Sequence, residues 1–299
     1  MRTLTWFTSC SVAAILFWGW ILPPAHCQVS ERDRLSKALE TQLCVLTSDN
    51  KVRICRGDYQ YRGHTVEALV FQPNRAGKFP GLFMIPGYEG TPNIYFNIAV
   101  IFARFGFASM AVGTPAFGRT DLKPDFLGRH TIAAYIKGYH NLEQEPFVDQ
   151  AKTGIFGYSR GAIAASLMLT KLNDTKAAVV GGGIYDLEKA FQDLTIEGIK
   201  DDIRKEAGTS AKAFRKRSAV YMTQKITSPI LILHGEGDLN APTNQAYLFR
   251  DALRQARKDV DLQILAGHKH GVLDSAFISI VFNYFNRRLN GATTDLKFR

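Results

Sequence analysis

Short, mostly apolar runs of four or five residues recur along the chain, each followed by a turn and then by a longer segment with helical character. Apolar runs of this length are typical of strands that are buried on both faces of a parallel sheet. We predict six strands of this parallel sheet, at Gly81–Ile85, Ala108–Val112, Thr153–Phe156, Ala177–Gly181, Ile230–Leu233 and Leu262–Leu265.

The intervening segments predict helices and an opening pair of strands. The opening pair lies within Arg53–Gln72, with Arg62-Gly63-His64 as its turn, and the charged stretch Tyr185–Gln224 is mostly helical. The clearest helices are predicted at Asn93–Phe105, His130–Asn141 and Ser275–Leu289. Strands that alternate with helices through short connections imply an α/β fold, with a mainly parallel central sheet covered by helices on both faces.

The run Gly157-Tyr158-Ser159-Arg160-Gly161 lies between the predicted strand Thr153–Phe156 and the helical stretch Ala162–Leu169. A serine in G-x-S-x-G between a strand and a helix is the pattern of a nucleophile elbow. Its glycines are needed because the turn is strained and bulky residues at those positions would clash with neighbouring backbone. The alternative is a glycine-rich turn without chemistry.

An acid and a base follow the serine in the order that α/β-hydrolases require. Asp238 comes just after the apolar run Pro229–Gly235, and His270 follows the run Val260–Leu265. Functional groups of open α/β sheets collect beyond the carboxyl ends of the strands. We predict Ser159 as nucleophile, His270 as general base and Asp238 as the orienting carboxylate. Glu236 is the alternative acid, and Asp238 is favoured because it lies further into the turn.

His268 competes with His270 for the role of base, because both lie in one loop. His270 is favoured because it precedes Gly271 and Val272, the usual setting of the base. A His-x-His pair also raises the question of a metal, but no carboxylate or cysteine cluster accompanies it. We therefore predict no metal.

The stretch Pro80–Gly90 is an apolar strand that ends in a glycine-bearing turn, so it suits an oxyanion hole. We predict the backbone N–H of Tyr88 as one donor and that of Arg160, the residue after the nucleophile, as the other. The alternative is an ordinary strand-to-helix loop.

From about Thr65 to about Arg288 the chain resembles the prolyl-oligopeptidase and dienelactone-hydrolase branch of the α/β-hydrolase superfamily. Besides the Ser, Asp and His order, Phe102-Ala103-Arg104-Phe105-Gly106-Phe107 is like the family's helix-to-strand turn, and Phe147-Val148-Asp149 precedes the nucleophile strand as it often does there. Arg217-Ser218-Ala219-Val220 is similar to the segment that leads into the acid strand. The resemblance implies an α/β-hydrolase fold with a small helical cap at about residues 185–225.

The chain departs from the family pattern at three positions. Ser159 stands where dienelactone hydrolases use cysteine, Pro86 where a histidine is usual, and Ala219 where the peptidases have proline. The residues before Thr65 are too few for the β-propeller of prolyl oligopeptidases, so gating by a propeller is not expected.

Residues 1–27 predict a secretory signal peptide. Arg2 supplies a positive start, Ser11–Leu22 is almost wholly apolar, and small residues precede a cleavage site near Cys27 or Gln28. The apolar stretch is short for a membrane span. We expect an exported protein, secreted or periplasmic, with a retained membrane anchor as the alternative. Residues 28–64 are expected to be an extension and residues 65–299 the catalytic domain.

Cys44 and Cys55 flank the turn Thr47–Lys51 in that extension. Two strands around this turn would bring the thiols together, and export favours oxidation. We predict a disulfide between them, rather than two buried free thiols.

Composition excludes several functional classes. At 299 residues, 46% hydrophobic and 21% charged, the chain suits one globular domain with a full core. The net charge of +10 could suggest nucleic acid, but the chain has no recognised nucleic-acid motif. We predict no nucleic-acid partner and, without a dinucleotide or phosphate-binding motif, no cofactor.

Substrate selection is expected from the cap segment and from Thr114–Arg129. Arg160 either pairs with a carboxylate near the elbow or points to solvent. The aromatic residues that are candidates for lining the pocket are Tyr88, Phe117, Phe126 and Tyr158. The alternative for each of them is that it belongs to the core or the surface and does not contact a ligand.

The sequence therefore predicts an exported serine hydrolase, carboxylesterase-like, that cleaves an ester of a small or medium substrate through an acyl-enzyme. A serine peptidase or amidase of prolyl-oligopeptidase type is the alternative within enzymes, because the motifs specify acyl transfer and not the leaving group. A non-catalytic binding protein on a hydrolase scaffold is the alternative from another class.

Overall fold

The computed structural model describes residues 30–88 and 90–298. The predicted signal peptide, residues 1–27, lies outside the described residues. None of the helices in the described part of the chain is long and apolar enough to cross a membrane.

The described chain forms one nine-stranded sheet and a separate two-stranded hairpin. The large sheet contains β1 (Cys44–Leu46), β2 (Val52–Arg56), β5 (Ala68–Pro73), β6 (Phe79–Ile85), β7 (Ala108–Val112), β8 (Val148–Tyr158), β9 (Ala177–Gly181), β10 (Ile230–Gly235) and β11 (Val260–Leu265). The hairpin consists of β3 (Tyr59–Tyr61) and β4 (His64–Val66). All six predicted strands are present, and five of the predicted runs are buried, whereas β11 lies at the edge of the sheet and is only partly buried.

The order of the strands is β1-β2-β5-β7-β6-β8-β9-β10-β11. From β7 to β11 every neighbouring pair is parallel, whereas β1, β2 and β5 join antiparallel at the β7 edge. The prediction of a mainly parallel sheet is confirmed. β8, which precedes Ser159, lies near the middle, between β6 and β9, so its backbone is fixed on both sides.

Helices cover both faces of the sheet. They are α1 (Glu31–Ala38), α2 (Phe96–Arg104), α3 (Arg129–Gln144), α4 (Arg160–Leu169), α5 (Leu187–Asp193), α6 (Glu197–Ala207), α7 (Ala211–Arg215), α8 (Asn244–Gln255) and α9 (Ser275–Asn290), with 3₁₀ turns at Pro92–Tyr95 and Ala219–Lys225. Residues of α3, α4 and α8 belong to one buried apolar cluster and residues of α1, α2 and α9 to the other. The two-sided α/β architecture is confirmed.

Strand β6 shows how the apolar pattern builds both layers. Successive side chains point to opposite faces of a strand. Phe83 and Ile85 accordingly pack in the cluster with α3 and α4, and Leu82 and Met84 pack in the cluster with α2 and α9. A continuous apolar run is therefore the pattern expected where both faces are buried.

The opening segment agrees with its prediction at the turn Arg62-Gly63-His64, which joins β3 to β4, but differs in its number of strands. Arg53–Gln72 holds four strands rather than two, because β2 and β5 pair in the main sheet while β3 and β4 form the hairpin between them. Gly57 lies at the break, and a Cβ there would come within 2.6 Å of Val70. The chain therefore leaves the sheet after β2 and returns to it as β5.

The cap segment, residues 185–225, contains α5, α6, α7 and the 3₁₀ turn at Ala219–Lys225. Its helices are short and amphipathic, with Leu187, Ala190, Ile203 and Phe214 buried. Most of the remaining side chains of these helices are charged or polar and are at least partly exposed, as the sequence composition predicts.

Cys44 and Cys55 form a disulfide between paired residues of β1 and β2. The two strands enclose the turn at residues 47–51, where the Thr47 hydroxyl donates to Asp49. The predicted pairing is present, and it ties the outermost strand to the sheet edge.

We expect the double variant Cys44→Ala/Cys55→Ala to lose about 2–4 kcal/mol of unfolding free energy, since the cross-link restricts the unfolded chain. Urea unfolding of the oxidised protein, followed by circular dichroism, measures the change. The wild type in reductant should shift similarly, and the double variant should not respond to reductant. An unchanged midpoint in the double variant would contradict a stabilising bridge.

Candidate active site

Ser159 lies in a strained backbone conformation between β8 and α4, with φ 56° and ψ −124°. L-residues rarely adopt such angles, and they cost on the order of 1–3 kcal/mol. The flanking glycines make the turn possible. A Cβ on Gly157 would lie 2.2 Å from the Gly161 carbonyl oxygen, and one on Gly161 would lie 2.0 Å from the Ile85 carbonyl oxygen.

The turn is also fixed by backbone hydrogen bonds. The Ser159 N–H donates to the Gly181 carbonyl at the end of β9, at 2.7 Å. The Ser159 carbonyl accepts from the Ala162 N–H at the start of α4, at 2.9 Å. The serine side chain is thereby held beyond the carboxyl end of the central strand.

Asp238 follows β10 and is almost fully buried. Its Oδ1 accepts hydrogen bonds from the backbone N–H groups of Asn240 and Ala241, both at 2.9 Å. The other oxygen, Oδ2, lies 2.7 Å from Nδ1 of His270. A carboxylate with one oxygen held by backbone donors can present the other in a fixed direction.

His270 joins the carboxylate to the serine. Its Nε2 lies 2.8 Å from the Ser159 hydroxyl oxygen, while Nδ1 faces Asp238. This network is satisfied when Nδ1 carries the proton and donates to the carboxylate, leaving Nε2 to accept from the Ser159 hydroxyl. The structure therefore brings together the three residues that the sequence nominated.

The two competing residues lie elsewhere. His268 directs Nε2 to the Asp274 carboxylate at 3.1 Å and Nδ1 to the Ala266 carbonyl at 3.2 Å. Glu236 accepts from the Gly267 N–H at 3.3 Å. Both belong to the hydrogen bonding of the loop after β11 and neither contacts Ser159.

Tyr158 supports the loop that carries His270. Its hydroxyl oxygen accepts a hydrogen bond from the Gly271 N–H at 2.9 Å, and its ring packs against the imidazole. Burial raises the pKa of the Tyr158 phenol, so the hydroxyl stays neutral at physiological pH. The residue before the nucleophile thus fixes the loop of the base.

His234, in β10, lies beside the carboxylate of Asp238. Its fully buried ring directs Nε2 to the Ala241 carbonyl at 2.7 Å and lies 3.5 Å from Asp238 Oδ2. Its Nδ1 is buried without a partner in the described part of the chain. Burial lowers the pKa of His234, outweighing the opposing effects of the Ala241 carbonyl and the Asp238 charge.

The residues predicted to supply the oxyanion donors, Tyr88 and Arg160, both line the pocket that contains Ser159. Gly87 approaches so closely that a Cβ there would be 3.1 Å from Ser159 Cβ, which places the following residue, Tyr88, beside the nucleophile. The Arg160 N–H is at the first turn of α4 and has no acceptor among the described residues. Such helix N-terminal donors are left free by helix geometry.

The Arg160 side chain pairs with carboxylates of the cap segment. Its Nη1 lies 3.2 and 3.3 Å from the two carboxylate oxygens of Glu206, and Nη2 lies 3.6 Å from Asp202. The guanidinium packs between the rings of Tyr88 and Phe126, with its carbon 4.3 and 4.6 Å from their centroids. From the sequence, Arg160 was expected to pair with an unspecified carboxylate or to point to solvent, and no sequence pattern identifies Glu206 as its partner.

The turn at Phe126 and Leu127 is the second strained segment near the site. Both residues have positive φ, 43° and 59°. Glu206 accepts from the Phe126 N–H at 3.0 Å, and the Arg217 guanidinium donates to the Phe126 carbonyl at 2.8 Å. Two cap residues therefore hold this turn in place against its strain.

A pocket of about 380 Å³ opens beside Ser159 and His270. Its walls are mainly apolar, and Arg160, Asp202 and Asn240 are the main polar side chains besides the serine and histidine. Of the predicted aromatics, Tyr88, Phe126 and Tyr158 line it, whereas Phe117 packs against Tyr88. The apolar walls that sequence reasoning missed come from Ile94, Ile163, Ile184, Ile199, Ala241 and Leu273.

Among the described residues, His140, Glu143 and Asp174 form a group whose ligand atoms lie within 4.8 Å of one another. His140 and Glu143 belong to α3, and none of the three residues lines the pocket beside Ser159. The histidine and Glu143 already bond to each other at 2.9 Å. This group has no place in the chemistry at Ser159.

Comparison with known sequences relates residues 122–290 to the prolyl oligopeptidase family, whose model matches that range. The chain is 26% identical over 220 residues to the uncharacterized peptidase YtmA of Bacillus subtilis (strain 168), covering 70% of this chain and 83% of YtmA. It is 23% identical over 194 residues to the uncharacterized peptidase YuxL of the same organism, covering 60% of this chain and 28% of YuxL.

Solved structures share the fold. An acylaminoacyl peptidase of Pyrococcus horikoshii superposes with a TM-score of 0.67 at 17% identity, over 83% of this chain and 43% of that protein. Acetyl xylan esterase 1 of Thermoanaerobacterium sp. JW/SL YS485 gives 0.66 at 15% identity, over 85% of this chain and 91% of the esterase. The chain thus spans less than half of the first protein and nearly all of the second.

We expect the unfolding free energy to fall as the pH drops below 6.5, the ordinary pKa of histidine, because of His234. Below pH 6.5 the imidazole takes up a proton in the unfolded chain but stays neutral in the buried site of the folded protein. The contribution of His234 to the unfolding free energy is therefore complete above this pH and decreases below it, by up to about 1.4 kcal/mol per pH unit. Urea unfolding at several pH values between neutral and mildly acidic measures the slope.

The variant His234→Gln retains a side-chain donor for the Ala241 carbonyl but does not titrate, so its slope should be shallower. His130→Gln, at an exposed histidine in α3, is the matched control and should keep the wild-type slope. An equal dependence of the unfolding free energy on pH in all three proteins would contradict a lowered pKa of His234.

Proposed function

This chain belongs to the prolyl oligopeptidase family and is a serine hydrolase, and from that premise we propose that it cleaves an ester of a small or medium substrate through an acyl-enzyme on Ser159. The observation that carries this proposal is the position of His270, within hydrogen-bonding distance of both Ser159 and Asp238 at an apolar pocket.

The first half of the reaction forms the acyl-enzyme. Ser159 Oγ attacks the carbonyl carbon of the ester while His270 Nε2 takes the hydroxyl proton. Asp238 holds the imidazole in the required tautomer and stabilises the imidazolium that forms. The tetrahedral intermediate then collapses, its bond to the alcohol oxygen breaks, and the imidazolium returns the proton to the departing alcohol.

The second half uses water in the same way. His270 takes a proton from water, the hydroxide attacks the acyl carbon, and collapse of the second intermediate releases the carboxylic acid and restores the Ser159 hydroxyl. The negative oxygen of both intermediates would be stabilised by the N–H groups of Arg160 and Tyr88. The unpaired Arg160 N–H and the close approach of Gly87 support this assignment.

The pocket favours an ester with an uncharged, apolar acyl or alcohol group. Arg160 lines the pocket but is already paired with Glu206 and Asp202, so among the described lining residues no unpaired lysine or arginine is offered to an anionic substrate. A volume of about 380 Å³ suits a small or medium group. The likeness to an acetyl xylan esterase along nearly its whole length agrees with an ester substrate.

A peptidase or amidase is the second candidate. It is favoured by the family itself and by the two Bacillus relatives that carry the name peptidase. The acyl-transfer chemistry at Ser159 is the same for both bonds, and only the leaving group differs.

Export forms part of the proposal. It rests on the predicted signal peptide at residues 1–27 and on the disulfide between Cys44 and Cys55, because such bridges persist mainly in oxidising compartments.

We expect a fluorophosphonate probe to label the protein, and labelling to fall by several orders of magnitude in Ser159→Ala and His270→Ala, because the nucleophile or its base is removed. His268→Ala is the matched control and should label like the wild type, since His268 bonds to Asp274 instead. In-gel fluorescence of the folded proteins measures the labelling.

Two results would contradict this scheme. Labelling that survives in His270→Ala and is lost in His268→Ala would make His268 the base. A folded wild type that does not label at all would remove the acyl-enzyme mechanism and favour a binding protein on the hydrolase scaffold.

Matched substrates separate the two candidate bonds. We expect hydrolysis of p-nitrophenyl butyrate, and little of p-nitroanilides or unmodified peptides, because Arg160 and Asp202, the charged side chains of the described lining besides His270, already pair with each other instead of being free to hold a peptide terminus. A kcat/KM for any peptide anilide above that of the p-nitrophenyl ester would establish the peptidase alternative.

A further inference from the structure

A second cavity, of about 600 Å³, lies on the other side of the Phe126 turn from the active-site pocket. It opens between α3, the carboxyl end of α4 and the end of the cap segment, and is called here the α3–α4 groove. Its apolar floor is formed by Leu127, Ile132, Ala133, Ile136, Leu167 and Met222. Its volume is in the range of about 300–1,000 Å³ that is typical of small-molecule sites.

The rim of the groove is cationic. Arg129, Lys171 and Lys216 line it and are exposed, and within residues 30–88 and 90–298 none of their side chains has an ion pair or hydrogen bond. Arg217 also lines it, but its guanidinium donates to the Asp125 and Phe126 carbonyls. No acidic side chain lines the groove among the described residues. Three unpaired cations beside an apolar floor favour an occupant with an apolar body and an anionic head.

We propose that the α3–α4 groove binds a single-chain alkyl carboxylate. Its hydrocarbon chain would lie on Ile132, Ile136 and Met222, where burial of apolar surface is favourable. Its carboxylate would face Arg129, Lys171 and Lys216 at the rim, where it would meet positive charge without displacing an existing acidic partner. The site is separate from Ser159, so its occupation does not depend on the proposed hydrolysis.

The groove is physically continuous with the active-site wall. Leu127 contributes to the groove while the preceding residue, Phe126, lines the pocket beside Ser159. Arg217 lines the groove and holds the Phe126 carbonyl. An occupant would therefore lie beside Arg217, one of the two residues that stabilise this strained turn. A carboxylate is also the class of product that ester hydrolysis releases.

Isothermal titration calorimetry of the full chain with decanoate, below its micelle concentration, tests the proposal. We expect saturable binding that weakens at least about tenfold in Lys171→Glu/Lys216→Glu, because attraction at the rim becomes repulsion. Lys137→Glu is the matched control, since Lys137 is an exposed α3 lysine that does not line the groove, and it should bind as the wild type does. Decyltrimethylammonium, with a hydrocarbon chain of similar length and the opposite charge, should bind at least about tenfold more weakly than decanoate.

Two further variants locate the ligand. Ala133→Phe fills the groove from a half-buried position and should abolish binding, with thermal melting to verify folding. Ile94→Glu puts a negative charge at the active-site pocket from an exposed position and should leave decanoate binding unchanged. The proposal is overturned by any of three results: no saturable binding to the wild type, equal binding of the cationic amphiphile, or loss of binding in Ile94→Glu with retention in Lys171→Glu/Lys216→Glu.

Discussion

The close approach of β8, α4 and β6 around Ser159 constrains this end of the molecule. Only glycine at 157 and 161 lets the chain turn so sharply, because the Gly161 position touches the Ile85 carbonyl and the Gly157 position touches the Gly161 carbonyl. The strain in Ser159 is offset by strand pairing on both sides and by α4, which is buried along its length. The loops that carry Asp238 and His270 meet the serine because parallel strands end at one edge of the sheet.

Charge pairing links this rigid turn to the cap segment. The residue after the nucleophile, Arg160, packs between Tyr88 and Phe126 and pairs with Glu206 of α6. Glu206 in turn accepts from the Phe126 N–H. The pairing satisfies a largely buried guanidinium, which would otherwise be costly, and it forms a wall of the pocket. Arg160 therefore joins the cap to the elbow through its side chain. In the proposed mechanism its backbone N–H also stabilises the negative oxygen of the intermediates.

Much of the fold and of the site follows from local sequence patterns. Buried strands are recognisable in the sequence as apolar runs, and the nucleophile elbow is defined by five consecutive residues. Whether Asp238 or Glu236 contacts the base, and whether His270 or His268 contacts Ser159, depends on the path of a loop. Loops have no regular repeat of side-chain directions, so the sequence pattern does not distinguish two candidates that are two residues apart. Arg160 and Glu206 lie 46 residues apart, and no pattern connects them. The turn at Arg62-Gly63-His64 is where the sequence predicts it, between β3 and β4. The division of each arm of the opening pair into two strands was not predicted, because it depends on the pairing of β2 with β5 in the main sheet.

The proposed mechanism requires that Ser159 carry an acyl group during turnover, and this group adds to the mass of the protein. Intact-protein mass spectrometry of samples acid-quenched within the first turnovers on p-nitrophenyl butyrate should show a transient species heavier by one butyryl group. Peptide mapping should place that group on the fragment containing Ser159. Turnover of the ester with no acyl adduct at any quench time, or with the adduct on another residue, would rule out an acyl-enzyme on Ser159.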